Sequence, residues 1–204
     1  MSDCCKADEL AKLRDSQSAT LKLVLAINLA MFVAEFSAGI IASSTSLLAD
    51  SLDMLGDALV YGFSLFVVAK DNTWKAFSAF GKSGIMAGFA AFVMFEALWK
   101  FIHPVTPSYE IIGVMGLVAL AANSVCLYTL TRHRAEDVNM RSVWLCSRND
   151  IIANISVLVA ATGVYLTNSY WPDLIIGVAI AGLFLRTAWT VYLDALESLK
   201  PEAI

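Results

Sequence analysis

Charge is scarce in this chain. Of its 204 residues only 16% are charged, against 58% hydrophobic, whereas a soluble globular domain runs nearer a quarter charged and half apolar. Mean hydropathy is +0.68. The shortfall is spread along the sequence, which excludes one membrane anchor joined to a soluble domain. There are 14 Lys and Arg against 18 Asp and Glu, and no basic domain that would serve nucleic acid. Cysteines number four. Cys4 and Cys5 fall in a charged N-terminal stretch and Cys126 and Cys146 in apolar blocks, which argues against a disulfide framework. Cys4–Cys5 has soft donors that could pass a metal onward, although adjacency alone is a weak signal.

Apolar residues fill the space that charge leaves. They recur in six blocks, about 20–43, 45–69, 76–102, 108–131, 141–167 and 172–198. Each has the 20 or so residues that cross about 30 Å of hydrocarbon as a helix. The runs are continuous rather than ten-residue alternations, which argues against a β-barrel. The expected fold is all-α, a polytopic membrane protein of six transmembrane helices. Residues 1–18 form a cytoplasmic N-terminal segment too charged for a signal peptide. Residues 19–200 form the membrane domain, with no soluble C-terminal domain after it. Pro172 suits the first turn of the last helix.

Basic residues set the orientation. Lys6, Lys12, Arg14, Lys22, Lys70, Lys75, Arg132, Arg134, Arg141 and Lys200 all fall on one side. The connections on the other side, "SST", "HPVTP" and "NSYW", hold no Lys or Arg, with Lys100 the sole basic residue nearby. Both termini are expected in the cytoplasm of a bacterial-type inner or plasma membrane.

Against that background, "LLADSLDMLGDA" at 47–58 places Asp50, Asp53 and Asp57 within one span, where each bare carboxylate costs at least a few kcal/mol. Asp53 and Asp57 are four apart and share one helical face. Alone they would repel; a divalent cation between them removes that penalty. The fifth block repeats the spacing with Asp150 and Asn154, and Cys146 stands one turn earlier on the same face. Two helices with such pairs can enclose one ion with three carboxylates and an amide carbonyl. Asp50 reads as a cap at the helix start or an accessory ligand. Cys146 reads as packing or a thiolate ligand, and Glu35 as an interhelical bond or a group on the ion's path. Asn123 and Asn149 read as interhelical hydrogen bonds, Glu96 with Lys100 as an i, i+4 pair, and Lys82, Arg186 and Asp194 as snorkelling side chains. Arg148 points away from the pair and reads as an offset to the site's negative charge or as a side chain snorkelling toward the cytoplasm. Gly39, Gly56, Gly163 and Gly177 suit close helix packing.

This pattern resembles the cation diffusion facilitator family. The likeness rests on "SSTSLLADSLDMLGDAL", the second polar pair in the fifth span, the six spans and the cytoplasmic termini, and it runs from Asn28 through the sixth span. It implies a cation-efflux transmembrane fold and a homodimeric exporter that exchanges a divalent metal for protons by alternating access. The transport site falls on Asp53, Asp57, Asp150 and Asn154, with Asp50, Cys146 and Glu35 as accessory candidates. The metal is then cargo, and no prosthetic group is implied. Zinc leads, with cobalt, cadmium, iron and manganese admitted. Zinc-moving members usually have His where Asp150 stands and Asp where Asn154 stands, and an all-oxygen set is harder. The family's cytoplasmic C-terminal domain and its histidine-rich loop are not found in this sequence; residues 132–140 read "RHRAEDVNM".

Two other classes compete. A membrane-embedded CDP-alcohol phosphotransferase also carries D-x-x-x-D, but needs an upstream D-G-x-x-A-R and a glycine where Ala49 stands. A metal sensor or partner subunit would bind the ion without moving it.

Overall fold

A computed structural model describes the backbone of residues 2–67, 72–132 and 138–198, with side chains described for 18–59, 62, 84–132, 144, 147–186, 188–190, 192 and 193. The described backbone forms six helices: α1 Ser2–Ala42, α2 Thr45–Val67, α3 Asn72–Ile102, α4 Tyr109–Thr131, α5 Val138–Thr167 and α6 Trp171–Ser198. These match the six apolar blocks within a few residues, except that α1 continues back through the charged N-terminal segment. No proline or glycine interrupts residues 2–38, so nothing there breaks a helix. Lys70, Arg134 and Lys200 lie outside the described residues, as do the side chains of Cys4, Cys5, Cys146, Lys82 and Asp194.

The bundle is turned inside out relative to a soluble protein. Phe95, Ile41 and Leu166 are 66–73% exposed on its outside, while Glu35, Asn123, Asn154 and Asp173 are fully buried within. A lipid environment accounts for both, because it solvates alkyl groups and leaves polar groups only one another. Among the described residues, five helices are long and apolar enough to cross a membrane. The exception is α2, whose 23 residues include three aspartates; at 1.5 Å per residue it still reaches about 34 Å.

Three antiparallel pairs, α1/α2, α4/α5 and α3/α6, make the most extensive contacts, and α2 also touches α3, α5 and α6. The helix that carries Asp50, Asp53 and Asp57 is therefore the most surrounded one. The α1–α2, α3–α4 and α5–α6 connections lie at one end of the bundle, here called distal. Trp99, Trp171, Tyr109, Tyr165 and Tyr170 pair there with one another or with Phe101 and His103, as suits a membrane–water interface. Two turns there use positive φ, at Ser43 (52°) and Asn168 (49°).

Three of the four glycines expected at helix contacts are found there. A Cβ on Gly39 would come within 3.0–3.1 Å of Leu48, and one on Gly163 within 2.7 Å of Pro172. On Gly177 it would meet Thr45, including its backbone carbon and oxygen, at 2.7–2.9 Å. Gly56 departs from the expectation: it is buried, but among the described residues nothing lies within 4 Å of a Cβ built there, so no neighbouring helix requires a glycine. Gly116, 3.0 Å from Leu158 by the same measure, takes a packing role instead. Gly177→Ala should be the worst of the alanine substitutions, since backbone cannot rotate aside. The expected loss is about 1–3 kcal/mol, checked as a lower midpoint in thermal unfolding; a midpoint equal to that of Gly56→Ala would contradict it.

Candidate metal centre

The site begins with helix register. On α2, Asp53 and Asp57 occupy successive turns of one face, and the same holds for Asp150 and Asn154 on α5. The two helices are in contact and run antiparallel. The carboxyl of Asp150 lies against that of Asp57 and also interacts with Asp53 and Asp50. With Asp150 opposite Asp57, antiparallel register sets Asn154, one turn toward the distal end, level with Asp53.

Burial sharpens the arrangement. Asp57 and Asp150 are 8% and 5% exposed and Asn154 is fully buried, while Asp53 is half-buried. Asp53, Asp57 and Asp150 open onto a cavity of about 410 Å³ between α2, α3, α5 and α6, whose other lining is mostly apolar, from Met86, Ile180 and Phe184 among others. Asn154 Nδ2 donates to the Asp150 carbonyl at 2.6 Å. That bond leaves Oδ1 free of its own helix, and among the described residues Oδ1 is buried without a hydrogen-bond partner. Asp150 Oδ2 is likewise buried and unpartnered among the described residues. Such oxygens are acceptors held out of water, and a cation satisfies them.

Among the described residues, no three His, Cys, Asp or Glu side chains stand ready to hold a metal ion. The carboxylates face one another across the α2–α5 contact without closing into a cage. Ligation by this set requires rotation of side chains or approach of the two helices.

The remaining polar residues divide. Glu35, fully buried on α1, faces Asp50 and Asp53 of α2, so its neighbours are carboxylates rather than neutral donors. Asp50 does not cap α2, a correction to the sequence reading: the helix starts at Thr45, more than a turn earlier. The expectation that Asn123 bonds across helices is not met: both its side-chain polar atoms are buried without a partner among the described residues. Asn149 is exposed and lines the cavity, because it sits one position off the inward face of α5. Arg148 is exposed, with its guanidinium 5.7 Å from the Trp144 ring centroid. Lys100 lies 2.8 Å from Asp173, a partner on α6 that the i, i+4 expectation missed; Glu96 Oε2 is left without a hydrogen bond. Arg186 is exposed near the end of its span. Sequence reading also gave no site role to Cys126, which is buried on α4 on the side of Asp150 and Asp57. Ser147, buried with its hydroxyl unpartnered, precedes Asp150 by three residues and shares its face, a spacing legible in the sequence.

The profile of the cation efflux transmembrane domain matches residues 21–200. Among curated relatives, the zinc transporter ZitB of Yersinia pestis is 26% identical over 204 residues, covering 91% of this chain and 64% of the relative. The metal cation efflux system protein CzcD of Cupriavidus metallidurans is 23% identical over 194 residues, covering 88% and 61%. A cadmium, cobalt and zinc/H(+)-K(+) antiporter of Bacillus velezensis is 24% identical, covering 87% and 63%. The chain thus spans a little under two thirds of the length of these relatives.

Proposed function

Because this chain belongs to the cation efflux, or cation diffusion facilitator, family, we propose that it is a transporter rather than an enzyme, and that it exports a divalent transition metal from the cytosol. One observation carries this reading: Asp53, Asp57 and Asp150 gather from two helices onto one cavity inside a membrane bundle. Three carboxylates there are tolerable only if a cation shares the space for much of the cycle.

In this reading Asp53, Asp57 and Asp150 bind the ion, and Asn154 Oδ1 supplies a fourth, neutral oxygen. The net charge of the occupied site falls from −3 to −1. The proximal end faces the cytosol and the distal end the outside, supported by the basic residues near the proximal ends of the spans. Lys100 does not count against that orientation, because Asp173 neutralises it. Protons compete with metal for the same oxygens, so release outside can be driven by protons arriving there. The protonated site then returns without a bare charge. The names of the relatives above support zinc as the leading cargo, with cobalt and cadmium beside it, and exchange for protons as the drive. A homodimer in the plasma membrane completes the proposal.

The test is metal-dependent proton flux in proteoliposomes, run with Zn²⁺, Co²⁺, Cd²⁺, Fe²⁺ and Mn²⁺ beside an Asp53→Ala control. Flux with one or more metals, absent from the control, is expected. Metal binding without flux would overturn the exporter in favour of a sensor or partner subunit.

The fourth ligand has its own test. Asn154→Asp adds a carboxylate to the set and should reorder the metals by affinity and alter the pH dependence of uptake. Unchanged order and pH profile would remove Asn154 from the site and leave the place to Cys146, one turn on the other side of Asp150.

A further inference from the structure

Asp173, in the first turn of α6, is fully buried and accepts five hydrogen bonds. Its Oδ1 receives Ser44 Oγ at 2.6 Å, Ser46 Oγ at 2.6 Å and the Ser46 backbone N–H at 3.2 Å. Its Oδ2 receives the Thr45 backbone N–H at 2.8 Å and Lys100 Nζ at 2.8 Å. The first two N–H groups of α2, ordinarily left without a partner at a helix start, are thus capped by a residue 127–128 positions away. Ser44 supplies the local cap, receiving Leu47 N–H at 3.1 Å. Lys100, at the distal end of α3, also donates to the Ser43 carbonyl, in the turn held at positive φ.

This knot is more than α6 needs for its own folding. Its donors come from the α1–α2 turn and from α3, and its acceptor from α6. Lys100 and Asp173 belong to the closely packed α3/α6 pair; their common target is the start of α2, the helix that carries Asp53 and Asp57. Beneath the knot, Leu47, Ala49 and Thr45 are fully buried, and Gly177 lets α6 press on the Thr45 backbone. The distal route to the carboxylates is therefore closed, whereas their cavity lies between α2, α3, α5 and α6 and reaches exposed residues such as Asn149 and Leu183.

From this geometry we infer that Asp173 and Lys100 form a latch that positions α2 against the α3/α6 pair and seals the distal side of the ion site. The inference rests on the transport reading above for its purpose. Opening toward the distal side separates the Asp173 carboxylate from the start of α2, and closing restores the five bonds. Asp173 is a positioning residue: it acts on the site through α2 and never touches the ion. The helix N-terminus, the ammonium and two hydroxyls all donate to this one carboxylate, so the closed form is preferred until the ion or protons rearrange α2.

The experiment places one new cysteine beneath the knot, Ala49→Cys, in the otherwise full chain held in sealed vesicles. A membrane-impermeant thiol reagent is added to each side in turn, and labelling of the chain without Ala49→Cys gives the background. Slow labelling from the distal side is expected in the intact latch. Ser46→Ala, which removes one hydroxyl and keeps the ion pair, should speed it roughly fivefold, the shift that one hydrogen bond makes in a closed–open equilibrium. Asp173→Asn should speed it about tenfold or more, and Asp173→Glu should recover part of the protection. Unchanged labelling in variants that elute as monodisperse protein would overturn the latch. If Asp173→Asn does not fold, Ser46→Ala decides alone. Labelling needs no flux, so a protein that fails to transport can still show the latch, and failure of either reading is visible separately.

Discussion

Asp57→Ala should stop transport while leaving a folded protein, with flux at least about 100-fold below wild type. Replacing a residue that merely orients a metal ligand already costs 10–100-fold in affinity or activity, and Asp57 is placed here as a ligand itself. Its carboxyl sits opposite that of Asp150, both nearly buried, so losing it removes the carboxyl that meets Asp150 across the α2–α5 contact. The same removal relieves repulsion between like charges, which is why the fold should survive. Thermal unfolding separates the two effects. With metal at 100 times its dissociation constant, a binding protein gains about 2.7 kcal/mol; wild type should show that upward shift and Asp57→Ala should not, with both melting cooperatively in the absence of metal. A metal-induced shift retained in Asp57→Ala, or flux within a few-fold of wild type, would remove Asp57 from the centre.

Much of this fold is legible in the sequence because membrane spans are written in length and hydropathy alone. The six blocks are long, continuous and bounded by short polar turns, and α2 through α6 start and stop close to where those boundaries fall. The facing of α2 and α5 is legible for a different reason: carboxylates that would be ruinous in lipid must point inward and toward company, and the i, i+4 spacing says which face. What the sequence does not carry is distance across the bundle. Lys100 has Glu96 at helical spacing, yet its partner is Asp173, 73 positions away, because the α3/α6 pairing brings the two helix ends together. Nothing local marks Asp173 as more than an acidic residue in a helix's first turn. The error over Asp50 has the same source. Its position looks like a cap until Ser44 and Asp173 are seen to start the helix more than a turn earlier. Asn123 shows the opposite failure, a polar residue whose expected partner is absent among the described side chains.

Lys100→Met should lower stability by roughly 3 kcal/mol, the lower end of what removing one partner from a buried ion pair costs. For a chain of this length that corresponds to a fall in melting midpoint of roughly 6–12 °C. The penalty arises from what stays behind: Asp173 is fully buried and would keep a charge without its cation. It would retain four donors, from Ser44, Ser46 and the α2 N-terminus, and these hold the cost to the lower end. Adding Asp173→Asn to Lys100→Met removes the stranded charge but turns an amide N–H₂ toward the N–H groups of Thr45 and Ser46, so it should recover only part of the loss. The sign of that recovery separates two accounts of the knot. If the double variant melts above Lys100→Met, the ion pair is the tie between α3 and α6. If it melts below, the carboxylate's bonds to the start of α2 outweigh its pairing with Lys100, and α2 is what Asp173 chiefly holds. No change in midpoint for Lys100→Met would mean that the ammonium, so near the distal end, was never withdrawn from water at all.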